Sequence, residues 1–241
     1  MPSLEDFIKD TQDCDSEEAL FGALTPFLKS YNIDYFAYFI LAQNLRALPP
    51  RTGLVTFNYP RDMADLYFEN NYVAIDPIIA QSLKESRPFH WSHAKEVQTL
   101  NAQQKQMFAD YAAADFIDGL SVPVYGPMGT IALFSLSSRG TKLDVSDEDL
   151  QAIQYACVQV HTRYFDLANI NTEPPTKRLS PREKEALILV ADGLANPAIA
   201  EQLGVTENTV DTMLRRIFIK LDVNNRISAV LKAIGSGVIV P

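Results

Sequence analysis

The sequence predicts an α+β protein in two parts, an N-terminal α/β/α sandwich on an antiparallel sheet and a small all-α domain after it. Three observations predict this. Up to about residue 168, runs rich in aromatic and β-branched residues alternate with stretches of helical periodicity. At 169–177 the chain reads NINTEPPTK, where two prolines and polar neighbours interrupt the apolar pattern. From 178 onward, short amphipathic helical stretches are separated by Gly193 and Gly204. The expected boundaries are therefore a first domain at 1–168, a linker at 169–177 and a second domain at 178–241.

In chain order, a first helix is expected from Ser16 to Tyr31, and DYFAYFIL (34–41) and GLVTFN (53–58) read as strands. Helices follow at 61–70 and 77–85. The second of these starts at Pro77, a residue pre-set for the first helical position, behind Asp76, whose side chain can cap it. Asp76 also lies in YVAIDPIIA, an apolar setting in which an ionised carboxylate needs a partner. Capping uses one oxygen and leaves the other for a second partner. A further helix spans 102–114, and GLSVPVY (119–125), the turn GPMG and TIALFSLSS (130–138) form a hairpin. The helix from Ser146 to about Leu167 opens on Ser146 and Asp149, and Leu150, Ile153, Cys157, Val160 and Tyr164 repeat as in a heptad seam. That seam suits either pairing of two subunits or packing on the domain's own sheet.

In the second domain, Ser180 caps a helix that begins at Pro181, with Glu183 reaching back as its third residue and Gly193 ending it. A short helix runs from about Pro197 to Leu203 and stops at Gly204. Thr206 caps the next, whose Val210, Leu214, Ile217 and Leu221 recur on one side. Its other side carries Asn208, Asp211, Thr212, Arg215, Arg216 and Lys220, a polar set of the size that enters a DNA major groove. Charge is partitioned to match: residues 177–241 hold nine Lys or Arg against seven Asp or Glu, a net of +2, and the remainder holds twelve against twenty-three, a net of −11. So small a surplus makes one subunit a weak binder and favours a dimer on two half-sites.

Other functions are disfavoured. The N-terminus is acidic and lacks a secretory apolar run, and no stretch approaches about 18 apolar residues, so a soluble, cytoplasmic protein without a membrane partner is expected. Cys14 and Cys157 form no CxxC or Cys/His cluster. His90 and His93 have a spacing that would suit a metal, but no third ligand is close. No GxSxG, phosphate-cradling glycine loop or receiver-type acidic cluster occurs. The expectation is a protein that is not an enzyme, with no cofactor and no metal.

From Leu179 to about Ala233 the sequence resembles the LuxR-type helix-turn-helix family without a gap: Arg182, Glu183, Leu187, Gly193, Ile199, Ala200, Leu203, Thr209, Val210, Leu221, Val223, Arg226 and Ala229 sit where that pattern expects them. On this reading Arg215 reads bases with Asn208 and Thr212 in support, while Arg216, Lys220 and Arg226 contact phosphates. Asp211 stands where relatives carry a basic or neutral residue; an acid there accepts from cytosine but repels phosphate. The first domain resembles the autoinducer-binding domain of LuxR-type quorum-sensing regulators through Tyr59, Tyr67, Asp76-Pro77, Trp91 and Gly119. The resemblance implies that Asp76 accepts the amide N–H of an acyl-homoserine lactone, Tyr59 donates to the acyl carbonyl, Tyr67 and Trp91 wall the pocket, and Ser135 adds a polar contact. It also offers Phe36, Tyr38, Leu41, Phe57, Tyr72, Phe108 and Ile131 as an acyl-chain wall, each equally suited to ordinary core. One position departs from the pattern. Four residues after Tyr59 the family has a tryptophan whose N–H bonds the lactone carbonyl, and this chain has Met63, which donates nothing.

The function these readings imply is a ligand-responsive, dimeric transcriptional regulator. Its partners are an acylated autoinducer, double-stranded palindromic DNA, a second copy of the chain, and RNA polymerase. The rival is a ligand-independent regulator whose sandwich is a scaffold.

Overall fold

The computed structural model describes residues 3–42, 53–126, 130–167 and 178–239, which divide into two compact units, the first ending at 167 and the second starting at 178. The expected linker and the tip of the expected hairpin lie outside the described residues.

The first unit is built on a five-stranded antiparallel sheet in the order β2-β1-β5-β4-β3. The strands are β1 (Tyr35–Ala42), β2 (Gly53–Phe57), β3 (Phe89–His90), β4 (Gly119–Tyr125) and β5 (Ile131–Ser137). Alternation along these strands creates two faces. Phe36, Tyr38 and Ile40 of β1, Ala132, Phe134 and Leu136 of β5, and Leu120, Val122 and Val124 of β4 pack under α1 (Leu4–Gln12), α2 (Glu17–Lys29) and α7 (Asp147–Leu167). The opposite face presents Ala37, Phe39 and Leu133 to α3 (Arg61–Glu69), α4 (Pro77–Ser82), α5 (Trp91–Val97) and α6 (Ala102–Ala113). The α/β/α sandwich is thus as expected. Across the second face, register aligns Ala37, Ser135, Ser121 and Phe89 in one row over four strands.

Helix punctuation follows the sequence. Ser16 Oγ accepts from Ala19 N at 3.3 Å, Ser146 Oγ from Asp149 N at 3.2 Å, and Asn101 with Gln104 forms a full capping box on α6. Five described elements escape the periodicity reading: α1, the 3-10 turn Tyr72–Ala74, α5, the two-residue β3 and, in the second unit, the helix Arg226–Gly235. The seam on α7 takes the second of its two readings. Ile153, Cys157, Val160 and Tyr164 are fully buried against the domain's own sheet, so they are not free to pair subunits.

The second unit packs α8 (Pro181–Ala191), α9 (Asn196–Leu203), α10 (Glu207–Leu221) and α11 (Arg226–Gly235) around one core. Ser180 and Glu183 form the expected reciprocal box. Gly193 and Gly204 end their helices at φ of 84° and 65°, a region where a side chain would strain the backbone. Val210, Leu214, Ile217 and Leu221 are buried, as their spacing requires. No described helix is long and apolar enough to cross a membrane, and no group of three or more His, Cys, Asp or Glu residues among the described residues could hold a metal ion.

Candidate functional site

Between the second face of the sheet and α3–α5 lies a cavity of about 550 Å³, part of it open to solvent. Tyr59, Met63, Tyr67, Asp76, Trp91 and Ser135 all line it, together with Ala37, Phe39, Leu54, Ala64, Phe68, Ile78, Ile79, Tyr111 and Leu133. Six positions, the outermost separated by 76 in sequence, therefore meet around one largely apolar space.

Asp76 is 8% exposed and holds two roles at once. Its Oδ1 accepts from the Ile78 N–H at 2.7 Å and caps α4, while its Oδ2 accepts from the Tyr67 hydroxyl at 3.0 Å. Burial pushes its carboxyl up to about 6, with the Ile78 and Tyr67 bonds pulling the other way. Burial, reinforced by the Asp76 charge, pushes the Tyr67 phenol above its ordinary range, so it remains a donor. The Tyr59 hydroxyl accepts from Ser137 Oγ at 2.8 Å and donates to the Ser135 carbonyl across 3.5 Å, a bond long enough to be exchanged for a better acceptor. Burial raises this phenol too. Tyr59 is steadied by rings on two sides, Tyr35 at 5.7 Å and Phe116 at 5.5 Å between centroids. Met63 is buried at the cavity wall and brings no donor.

The apolar wall differs from the expected one. Phe36 and Tyr38 belong to the opposite face of the sheet, Leu41, Tyr72 and Phe108 pack in the surrounding core without lining the cavity, and Ile131 does not line it. The side chain of Phe57 lies outside the described ones. Their neighbours Ala37 and Phe39 take the place of Phe36 and Tyr38, a one-residue step that inverts the face. Tyr111, which its sequence context does not single out, sits 5.6 Å from the Trp91 ring and lines the cavity. The helical spacing Met107–Tyr111 toward Trp91 was the available signal.

In the second unit, α10 exposes Asn208, Asp211, Thr212, Arg215 and Arg216 along one side. Thr212 Oγ1 donates to the Asn208 carbonyl at 2.8 Å. Lys220 departs from this set. It is half-buried and donates to Glu183 Oε2 at 2.6 Å, tying α10 to the start of α8. Burial works against the Glu183 charge, but the Lys220 ammonium and the Ser180 N–H outweigh it and hold the carboxyl below its usual range. Arg226 likewise turns inward, donating to the Leu194 carbonyl at 2.6 Å and to Asn196 Oδ1 at 3.2 Å. Asn196 in turn donates to Asp211, so Asp211, Asn196 and Arg226 form one chain of bonds across three helices. Lys220 and Arg226, the expected phosphate contacts, thus both have partners within the domain.

A sandwich with a polar-pointed cavity and a four-helix unit with an exposed recognition face, in one chain, define a regulator that couples small-molecule sensing to transcription. Residues 16–164 match the autoinducer binding domain, and residues 177–233 match the bacterial regulatory proteins of the luxR family. The chain belongs to that family, as a LuxR-type quorum-sensing transcriptional regulator. It is 31% identical over 183 residues to the HTH-type quorum sensing-dependent transcriptional regulator RpaR of Rhodopseudomonas palustris, covering 75% of this chain and 73% of RpaR. It is 29% identical over 222 residues to the putative HTH-type transcriptional regulator y4qH of Sinorhizobium fredii, covering 91% of this chain and 68% of y4qH. Among solved structures, Escherichia coli SdiA shares the fold with a TM-score of 0.72 at 18% identity over 99% of this chain and 98% of that one. SdiA in complex with octanoyl-rac-glycerol gives 0.67 at 20% identity, covering 97% and 93%.

Proposed function

We propose that this protein binds an acyl-homoserine lactone or a related acylated signal in the cavity and, as a homodimer, reads a palindromic promoter site. The observation that carries the reading is Asp76: one oxygen caps α4, and the other joins Tyr67 at the wall of an apolar cavity also lined by Tyr59. An acyl amide offers the matching pair, an N–H for Asp76 and a carbonyl for Tyr59, with a chain for Phe39, Leu54 and Leu133. The octanoyl glycerol bound by SdiA supports keeping acyl compounds other than lactones in the class.

The first domain (1–168) senses and dimerises, the linker (169–177) connects, and the second (178–241) binds DNA through Asn208, Asp211, Thr212, Arg215 and Arg216. Dimerisation is supported by apolar side chains that remain exposed: Tyr155 and Val158 on the outer side of α7, and Ile227 and Leu231 on α11. Ligand burial stabilises the folded first domain by mass action, about 2.7 kcal/mol at a hundredfold excess over Kd, and shifts the population that binds DNA. The site of action is the cytoplasm, where RNA polymerase is the further partner.

Met63 favours a second reading, a ligand-independent regulator, because the expected donor is missing. Thermal melts against a panel of acyl-homoserine lactones of increasing chain length test the pair. A saturable rise in melting temperature supports the sensor; no rise across the panel favours the ligand-independent regulator.

A further inference from the structure

Among the described residues, four buried side-chain polar atoms have no hydrogen-bond partner: His90 Nδ1, Trp91 Nε1, Ser121 Oγ and His161 Nε2. His90 Nδ1 lies 3.6 Å from Asp118 Oδ2, burial keeps His161 neutral so that one of its nitrogens is an acceptor, and a hydroxyl can rotate. An indole N–H only donates, in a direction fixed by its ring. Of the four residues, only Trp91 lines the cavity, where it is 3% exposed.

The indole is held rather than loose. A Cβ built on Gly119 would stand 2.3 Å from Trp91 Cε2, the ring carbon bonded to Nε1, and 2.5 Å from Cζ2, so the ring edge lies directly on the bare backbone of β4. Tyr111 packs on it from α6. Buried Asp118 fixes the frame: its Oδ1 accepts from the N–H of Gly119 at 2.9 Å and of Ser92 at 3.0 Å, and its Oδ2 accepts from the Ser92 hydroxyl at 2.9 Å. One carboxylate thereby pins both the residue after the tryptophan and the glycine beneath it. A donor preorganised in this way and left without an acceptor is what a ligand site requires.

We propose that the Trp91 indole N–H is the head-group donor of this site and receives the acceptor that Met63 cannot. The inference rests on the cavity being the acyl-ligand site proposed above. It assigns the ligand as an N-acyl compound whose head bears a second acceptor, such as a ring carbonyl, met from α5 instead of α3.

Trp91 is the only tryptophan in the chain, so the full-length ¹⁵N-labelled protein yields a single indole N–H resonance. The probes are N-octanoyl-homoserine lactone and N-(tetrahydrofuran-3-yl)octanamide, which lacks only the ring carbonyl. The lactone is expected to move the indole proton downfield and to bind about ten- to a hundredfold more tightly than the ether, which leaves that proton in place. In Trp91→Phe the two probes are expected to bind with similar affinity, a loss of discrimination that mere packing would not cause. If the lactone shifts backbone resonances and raises the melting temperature while the indole proton stays still, or if Trp91→Phe weakens both probes equally, the assignment to Trp91 is overturned and the acyl-ligand site stands. If neither probe changes any resonance or the melting temperature, the acyl-ligand reading fails and the assignment falls with it. Should Trp91→Phe not fold, the indole resonance and the two affinities in the unaltered protein still decide.

Discussion

Replacing Asp76 by Asn should stabilise the unliganded protein and weaken its response to ligand, two effects of opposite sign from one atom. Burial raises the Asp76 carboxyl from 3.8 to about 6. At about 1.4 kcal/mol per pH unit, keeping it ionised at neutral pH costs the folded state roughly 3 kcal/mol. Asn removes that cost and keeps the cap, because its Oδ1 can still accept from Ile78, while its amide can donate to a Tyr67 hydroxyl that now accepts. At about 2–4 °C per kcal/mol for a domain of this size, the melting transition of the first domain should rise by up to about 10 °C. The sign with pH follows from a folded value above the unfolded one. Protonated Asp76 costs nothing below about pH 4, and the stability of the unaltered protein falls relative to the variant as pH rises through about 6. A ligand N–H that meets a carboxylate in the unaltered protein meets an amide donor in the variant. Losing a charge-assisted bond worth about 1.5–3 kcal/mol weakens binding roughly ten- to a hundredfold. Fluorescence melts from pH 4.5 to 8, with and without lactone, read all of this. A variant less stable than the parent at pH 7.5, or a gap that is the same at both ends of the range, would refute the reasoning.

Gly119→Ala brings a methyl to 2.3 Å from the Trp91 ring and 2.7 Å from the Leu136 carbonyl, so chemical denaturation should show a loss of about 1–3 kcal/mol or more, with ligand response lost alongside. Lys220→Met should lower the melting temperature of the second domain by stranding Glu183, yet barely change the salt dependence of DNA binding; Arg216→Ala should do the reverse, and a steep salt effect from Lys220 would contradict the assignment. Asp211→Ala should raise affinity for nonspecific DNA and relax specificity in gel-shift competition, whereas uniform loss of binding to every sequence would sink that role.

Much of this was legible in the sequence because local chemistry carried it. Ser180 with Glu183, Thr206, Gly193 and Gly204 announce helix ends through hydrogen-bond needs that no tertiary contact alters. Of the six cavity residues, Asp76 stood out by its apolar setting, whereas the roles of the others were legible only through resemblance, since Tyr59 and Trp91 look like any buried aromatic until the fold brings them together. Two kinds of information were hidden. Which face of a strand meets the cavity depends on register, so the reading chose Phe36 and Tyr38 where Ala37 and Phe39 face the space. Which cations are free depends on who sits opposite, and Glu183 and Asn196 lie 37 and 30 residues from the cations they engage.

The partition of the sheet explains how one small domain can be both stable and responsive. On one face, β1, β4 and β5 pack aromatics and aliphatics against α1, α2 and α7, with the Tyr38 hydroxyl and His161 Nδ1 2.7 Å apart among them. That face supplies the stability that the other gives up. There, burial of an ionised Asp76, an unpaired Trp91 N–H and a stretched Tyr59 bond all cost free energy in the unliganded state. A ligand that meets these groups recovers the cost, so its binding energy appears as added stability of α3–α5 over the sheet. The groups that make the empty site expensive are therefore the ones that make it selective, and substitutions that relieve one should blunt the other.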